Sequence, residues 1–155
     1  MEKIKAFFIT AFSAIFSWLG VLAVPVFLLV GCNLIDYITG LLAAKYRDEA
    51  VSSYKGIRGI IKKVCMWLLI GVGWMMDTLL KYTVTTVGLT VELPFIVATV
   101  VAVWLICNEL ISILENMIDI GVSIPPFLMP LVKRIKNQVE EKTDTAVNEE
   151  DDQHE

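Results

Sequence analysis

Four carboxylates lie within or beside long apolar segments of this chain: Asp36, Asp77, Glu109 and Glu115. Ionisable side chains are costly inside a bilayer, and they usually face a bundle interior, a water-filled cavity or a partner. The chemistry open to such groups is therefore to pair with one another, to carry a proton or a cation, or to line an aqueous opening.

The richest polar pattern lies between residues 108 and 119, where polar side chains recur at spacings of three and four. Such spacing places them on one stripe of a helix, with Ile and Leu on the opposite side. A helix of this kind favours lipid on one side and water or polar partners on the other. Either several copies place the stripe around a common opening, or the stripe joins the helices of one monomer. The predicted intramembrane or lumen-facing residues are Asp36, Asp77, Asn108, Glu109, Ser112, Glu115 and Asn116.

The sequence shows no pairing of a nucleophile with a base and no metal-ligand spacing. Its three cysteines, Cys32, Cys65 and Cys107, lie in or at the edge of apolar segments and follow no spacing pattern, which is typical of buried thiols. His154 stands alone in an acidic segment. We therefore expect a protein that is not an enzyme, with no catalytic residues, no cofactor and no metal site.

Four apolar segments position these residues: 6–22, 26–44, 64–80 and 94–114. About 20 apolar residues cross a bilayer as a helix, and the chain is 56% hydrophobic. The pattern predicts an all-α integral membrane protein built of helical hairpins, with three to four transmembrane helices. Segment 6–22 either crosses the membrane or lies on its surface. We favour a crossing, since Lys3 and Lys5 would then lie in the cytoplasm.

Positive charge sets the expected orientation. The loop 45–63 carries six Lys and Arg residues, whereas the loop 81–93 carries only Lys81. The positive-inside rule places the loop 45–63 and the C-terminus in the cytoplasm. This basic, glycine-punctuated loop is predicted to contact anionic lipid headgroups. Its residues of interest are Lys45, Arg47, Lys55, Gly56, Arg58, Gly59, Lys62 and Lys63.

The C-terminal part of the chain leaves the membrane. Residues 127–139 are predicted to form a short amphipathic cytoplasmic helix that completes a membrane domain over residues 1–139. Residues 140–155 hold eight carboxylates and one lysine. A segment of that composition cannot bury enough apolar surface to fold, so we expect a disordered acidic tail.

Two motifs, taken together, resemble a known family. The first runs from Asp36-Tyr37-Ile38-Thr39-Gly40 through Lys45-Tyr46-Arg47 to Ser52-Ser53, Lys55-Gly56, Arg58-Gly59 and Lys62-Lys63. It closely resembles the core of a phage holin family that also includes clostridial toxin-secretion holins. The second is Asn108-Glu109-Leu110-Ile111-Ser112-Ile113-Leu114-Glu115-Asn116, followed by Gly121 and the Ile124-Pro125-Pro126 break. The resemblance covers roughly residues 30–140.

The resemblance implies a function that the charge pattern does not. Holins accumulate in the cytoplasmic membrane of a host bacterium and assemble into lesions through which an endolysin reaches the cell wall, and relatives export toxins. It implies a multi-pass protein of the bacterial cytoplasmic membrane that forms a homo-oligomer. Its expected partners are membrane lipids and, functionally, an endolysin, with no nucleic acid.

Two alternatives stay open. A small proton- or cation-coupled transporter would use Glu109 as its proton or substrate site, but it would leave the basic motif unexplained. An antiholin-type inhibitor would have the same fold without killing the cell. The resemblance is compatible with host-cell lysis and with toxin export.

Overall fold

A computed structural model describes residues 1–47, 53–88 and 95–151. Five helices follow one another along these residues: α1 (Glu2–Leu19), α2 (Ala23–Tyr46), α3 (Ser53–Thr86), α4 (Ile96–Ile120) and α5 (Leu128–Asp151). A short 3-10 turn, Gly20–Leu22, joins α1 to α2. The described part of the chain contains no strand, so the predicted all-α class is confirmed.

Within the described residues, three helical stretches are long and apolar enough to cross a membrane: Gly20–Tyr46, Gly56–Thr86 and Ile96–Ile120. They contain the predicted segments 26–44 and 64–80 and residues 96–114 of the predicted segment 94–114, of which Pro94 is outside the described residues. α1 is not among them, and its first turns carry Glu2, Lys3 and Lys5. The structure therefore supports three of the predicted three to four spans, and it does not support the favoured crossing by segment 6–22.

A sharp turn separates α1 from α2. Gly20 adopts a left-handed φ of 52°, which L side chains rarely adopt. The turn brings Phe16 back onto Phe27, with their rings stacked at 4.3 Å, and Phe12 packs on the same ring at 5.0 Å. Most other side chains of α1 are exposed. α1 is thus an apolar helix held to the rest of the molecule at one end.

α3 begins at Ser53, ten residues before the end of the predicted loop 45–63. That loop assignment is corrected by the structure for residues 53–63, which form the first three turns of a 34-residue helix. The segment contains no proline, and its Lys, Arg and Ile residues are compatible with a helix. Two glycines there each cost about 1 kcal/mol relative to alanine, which the contacts made by Lys63 and the residues after it offset.

α4 is the central helix and packs against α2, α3 and α5. Small side chains make this possible, since Ala98 and Ala102 are fully buried. Larger apolar side chains fill the remaining space around Ala102. This core comprises Leu29 from α2, Met66 and Ile70 from α3, and Ala102 and Leu105 from α4.

The start of α4 is held by α3. The Asp77 carboxylate accepts hydrogen bonds from the backbone N–H groups of Val97, at 2.9 Å, and Ala98, at 2.8 Å. These are among the donors that a helix N-terminus leaves without an intrahelical partner, and a negative charge there also interacts favourably with the helix dipole. Asp77 is only 6% exposed. Asp77 is thus a polar residue within a candidate span whose carboxylate caps the neighbouring helix, and a lumen-facing role for it stays a prediction.

At the other end, Gly121 ends α4 with a φ of 92°. After the turn, α5 runs antiparallel along α4. It continues to Asp151, past the predicted end at residue 139 and into the segment predicted to be disordered. Contacts with α4 extend past that end as well, since the Trp104 indole donates to Glu140 at 2.7 Å. Residues 152–155 lie outside the described residues.

Gly73 offers a test of the α3–α4 packing. A Cβ added there would lie 2.9 Å from the Ala98 Cα, a backbone atom, so the two helices would have to separate. We expect Gly73→Ala to destabilise the protein by about 1–3 kcal/mol and to lower the midpoint of its thermal unfolding in detergent, followed by circular dichroism.

The matched control is Gly71→Ala, two residues away on the same helix. A Cβ at Gly71 meets nothing within 4 Å. This change should leave the midpoint unchanged or raise it, because alanine favours a helix more than glycine does. Equal shifts for the two variants would contradict the close approach at Gly73.

Candidate functional site

The three spans meet at a group of buried polar side chains, which we name the polar cluster. Its centre is the Lys63 ammonium, whose Nζ lies 2.8 Å from Asp36 Oδ2 and 2.5 Å from Glu109 Oε2. Each of these residues comes from a different span. The full set is Asn33, Asp36 and Thr39 from α2, Lys63 and Trp67 from α3, and Glu109 and Asn116 from α4.

Helical periodicity explains why these residues meet. Asn33, Asp36 and Thr39 follow one another at intervals of three, so they share one face of α2. Glu109 and Asn116 are seven residues apart, which is nearly two turns of α4. Each helix therefore turns a short polar row inward, on a surface that is otherwise apolar.

Amide groups complete the polar cluster. The Asn116 side-chain N–H₂ donates to Asp36 Oδ1 and to Thr39 Oγ1, both at 3.3 Å. The Asn33 amide is satisfied when its nitrogen donates to Glu109 Oε2, at 3.0 Å, and its oxygen accepts from Trp67 Nε1, at 3.1 Å. No buried side-chain nitrogen or oxygen in the described ranges lacks a hydrogen-bond partner.

The polar cluster lies well inside the three candidate spans. Glu109 is thirteen residues from Ile96, the start of α4, which corresponds to about 20 Å along the helix axis. The Glu109 side chain is 5% exposed, and those of Asp36 and Lys63 are each 17% exposed. Ionised groups at this depth need partners. The arrangement can hold three spans in one register, and it keeps its carboxylates away from lipid.

Lys63 therefore has a different place from the one predicted. The sequence predicts it in a cytoplasmic loop with Lys62, but α3 directs it into the bundle, whereas Lys62 stays exposed. Among the other basic residues, Lys45 and Arg58 are exposed, and Gly56 and Gly59 lie in the first two turns of α3. Arg47 pairs with Asp119 at the end of α4, at 2.5 Å. The side chain of Lys55 is outside what the structure describes.

The predicted stripe on α4 divides into two rows. Successive residues of a helix are rotated by about 100° around the helix axis. Glu109 and Asn116 therefore face the bundle. Asn108 and Glu115, each one residue earlier, face outward. Asn108, Ser112 and Glu115, with Lys62 of α3, line an open cleft between α3 and α4. We name these four residues the polar face. In the described part of the chain, none of them makes a hydrogen bond or an ion pair.

Sequence reasoning missed Asn33, Thr39 and Trp67. A signal was present for the first two, because they lie three residues on either side of Asp36 in an otherwise apolar segment. Trp67 follows Lys63 by one helical turn, which is informative only once residues 53–63 are known to be helical. Over the described residues, no cluster of three or more His, Cys, Asp or Glu side chains could hold a metal ion.

Comparison with known proteins assigns the chain to a family. The sequence profile of the bacteriophage holin family matches residues 13–137. The chain belongs to the bacteriophage holin family. This match covers all three spans and most of the polar residues described above, and it confirms the resemblance drawn from the two motifs.

Similar proteins occur in bacteria and in a phage. An uncharacterized protein of Listeria monocytogenes is 37% identical over 133 residues, covering 85% of this chain and 86% of the relative. An uncharacterized protein of Clostridium perfringens is 33% identical over 125 residues, covering 80% and 84%. A protein of Bacillus phage phi105 named as a probable holin is 28% identical over 117 residues, covering 76% and 78%. No solved structure matches the chain.

The polar cluster can be tested by removing its cation. Lys63→Met leaves Asp36 and Glu109 without their shared partner, and breaking a buried ion pair on one side costs about 3–5 kcal/mol. We expect a large fall in the thermal unfolding midpoint in detergent.

Two variants control for this effect. Lys62→Met removes the same charge from the next residue, which is exposed, and should leave the midpoint nearly unchanged. Adding Asp36→Asn and Glu109→Gln to Lys63→Met should recover much of the loss, since no buried charge then lacks a partner. A small effect of Lys63→Met alone would mean that Lys63 does not join the spans.

Proposed function

We propose that the protein is a holin that oligomerises in the bacterial cytoplasmic membrane and forms lesions through which an endolysin reaches the cell wall. The observation that carries this proposal is membership of the holin family over residues 13–137. The three apolar spans support insertion into the membrane. The protein that passes through the lesion is also part of the proposal. Passage of a toxin, in place of an endolysin, is tested in the same way.

The polar face gives a physical reason for assembly. In a single chain surrounded by lipid, Asn108, Ser112 and Glu115 would lack polar partners, and unsatisfied polar groups in hydrocarbon cost several kcal/mol each. Contact with other copies, or with water enclosed by several copies, would remove that cost. We infer that the polar face lies at subunit contacts or beside the opening of the lesion.

The orientation belongs to the proposal as well. Lys45 and Arg47 at the end of α2 and Arg58 near the start of α3 share one end of the bundle, and the Arg47–Asp119 pair brings the end of α4 there. Positive charge favours the cytoplasmic side. With three spans, α1 then lies at the outer surface, and an unassembled chain carries its C-terminal segment into the cytoplasm.

The transporter alternative is less well supported by the structure. It requires Glu109 to exchange a proton or cation with water, but this residue is 4% exposed and is bonded to Lys63. The antiholin alternative shares the fold and the family. Co-expression separates it from a holin, because an inhibitor delays lysis caused by another holin, whereas a holin advances it.

The test is induced expression in a bacterium that also holds a cytosolic endolysin, with culture density and a membrane-potential dye followed together. We expect an abrupt loss of potential, then lysis only when the endolysin is present. Continued growth with intact potential would contradict the proposal. Loss of potential without passage of the endolysin, or of a toxin offered in its place, would mean an opening too small for protein.

Glu115→Gln tests the polar face in the same assay. Removing this charge lowers the cost of facing lipid as a single chain, so the drive to assemble weakens and lysis should come later at equal expression. Glu2→Gln, which removes an exposed carboxylate from α1, should leave the timing unchanged. If the two variants lyse cells at the same time as the parent, the polar face has no part in assembly.

A further inference from the structure

α5 lies along α4 over most of the length of that span. Val132 is buried in one cluster with Cys107 and Leu114 of α4. Further along α5, Lys136 Nζ lies 5.2 Å from the centre of the Trp104 ring, and Glu140 accepts a hydrogen bond from the same indole. Val139, Lys142 and Thr143 reach the level of Ile96 and Val97, where α4 begins.

These contacts place charged groups at membrane depth. Trp104 is eight residues from Ile96 and sixteen from Ile120, so it lies about 12 Å from one end of α4 and about 24 Å from the other. The hydrocarbon core of a bilayer is about 30 Å thick. Lys136 and Glu140, which contact Trp104, are therefore at the depth of the hydrocarbon core whenever α5 is docked on α4.

The exposed surface of α5 carries many charged side chains, besides the apolar side chains of Leu131 and Ile135. Its stripe toward α4 includes Val132 and Val139, whereas its exposed side carries ions of both signs. The exposed ionisable residues of α5 with described side chains are Lys133, Arg134, Glu140, Glu141, Lys142 and Asp144. A helix that presents this surface to lipid would place several charges in hydrocarbon at once, which membrane proteins avoid. Docked α5 must therefore face water.

We propose that α5, docked on α4, forms the water-facing wall of the assembled lesion. This inference rests on the proposed function, because it assigns a surface of the lesion that the function requires. The apolar stripe of α5 packs on α4, and its charged side faces the opening. α5 thus acts as a fourth element of each subunit at membrane depth, in addition to the three apolar spans.

The rest of the molecule is arranged to suit this assignment. The polar face adjoins α5, since Trp104 lines both the α3–α4 cleft and the groove under α5. Elsewhere the exposed surface of the spans is apolar, as at Leu28, Leu34, Leu68 and Leu79. Each subunit therefore has one side suited to lipid and one side suited to water, and only an assembly can provide both surroundings at the same depth.

The position of α5 differs between a single chain and the assembly. Before assembly no water is available beside α4, so α5 stays at the cytoplasmic surface, where the sequence predicts it. α5 then docks as the copies assemble, and its C-terminal end moves toward the outer end of α4. The predicted cytoplasmic C-terminus would thus hold for the unassembled chain alone.

A disulfide can test the docked position. In a Cys32→Ala, Cys65→Ala background, Val132→Cys places a thiol in the cluster that holds the native Cys107. If α5 lay flat on the membrane surface, residue 132 would remain near the end of α4, far from Cys107. Asn137→Cys is the matched control, because residue 137 is exposed on the outer side of α5 and should not pair with Cys107.

The protein is reconstituted into phosphatidylethanolamine–phosphatidylglycerol vesicles loaded with a fluorescent dextran. We expect oxidation to join residues 107 and 132, but not residues 107 and 137, with dextran release unchanged after oxidation. Absence of the 107–132 disulfide would overturn the proposal. A disulfide that forms and abolishes release until it is reduced would also overturn it, since docked α5 would then close the lesion.

A spin label reports the surroundings of the docked helix. In the oxidised sample, a label at residue 137 should be relaxed by a water-soluble paramagnetic reagent, and a label at Leu68 should be relaxed by oxygen dissolved in lipid. A lipid environment at residue 137 in docked α5 would contradict a water-facing wall.

If the unaltered chain releases no dextran at all, the proposed function fails. That outcome is distinct from failure of the α5 assignment.

Discussion

The structure depends on one electrostatic arrangement, the Lys63 ammonium held between the carboxylates of Asp36 and Glu109. Each span contributes one charged residue, and none of the three can be satisfied by lipid. The three helices must therefore meet at this level. Two carboxylates share one ammonium, and the amides of Asn33 and Asn116 donate the remaining hydrogen bonds. Apolar packing around Ala102 fills the space, whereas the ions determine how the helices align.

The same residue types serve different purposes in this bundle, and local geometry decides which. Asp77 caps the start of α4, Glu109 completes the polar cluster, and Glu115 stays on the outward side of the same helix as Glu109. In sequence, all three are carboxylates in or near apolar segments. Glu109 and Glu115 are six residues apart, or about 600° of helical rotation. Glu109 is therefore buried at the inner edge of the cleft and bonded to Lys63, whereas Glu115 is exposed on its outer side.

The sequence was sufficient for three of the apolar spans, the all-α class and the family, because long hydrophobic runs and motif spacing are local properties. It favoured a fourth crossing by segment 6–22, which the structure does not support. It also predicted Asp36, Glu109 and Asn116 as intramembrane polar residues, and the structure brings these three into one cluster. It could not place Lys63, since a basic, glycine-containing stretch reads as a loop until its neighbours in space are known. The cap formed by Asp77 depends on the backbone of another helix, and the position of α5 depends on contacts with Trp104. Neither contact produces a periodic pattern of residue types in the sequence.

A membrane protein usually separates its charged surfaces from its spans along the membrane normal. Here the separation is also lateral, because α5 and the polar face lie on one side of the bundle, and Leu28, Leu68 and Leu79 are exposed elsewhere on it. No single chain in a bilayer can satisfy both surfaces at one depth. The polar cluster stays closed within each subunit, so it can hold the subunit together while the outer polar surfaces gain partners or water. The fold thus relies on the inward set of polar residues, and the assembly that we propose would rely on the outward set. The two sets alternate along α4.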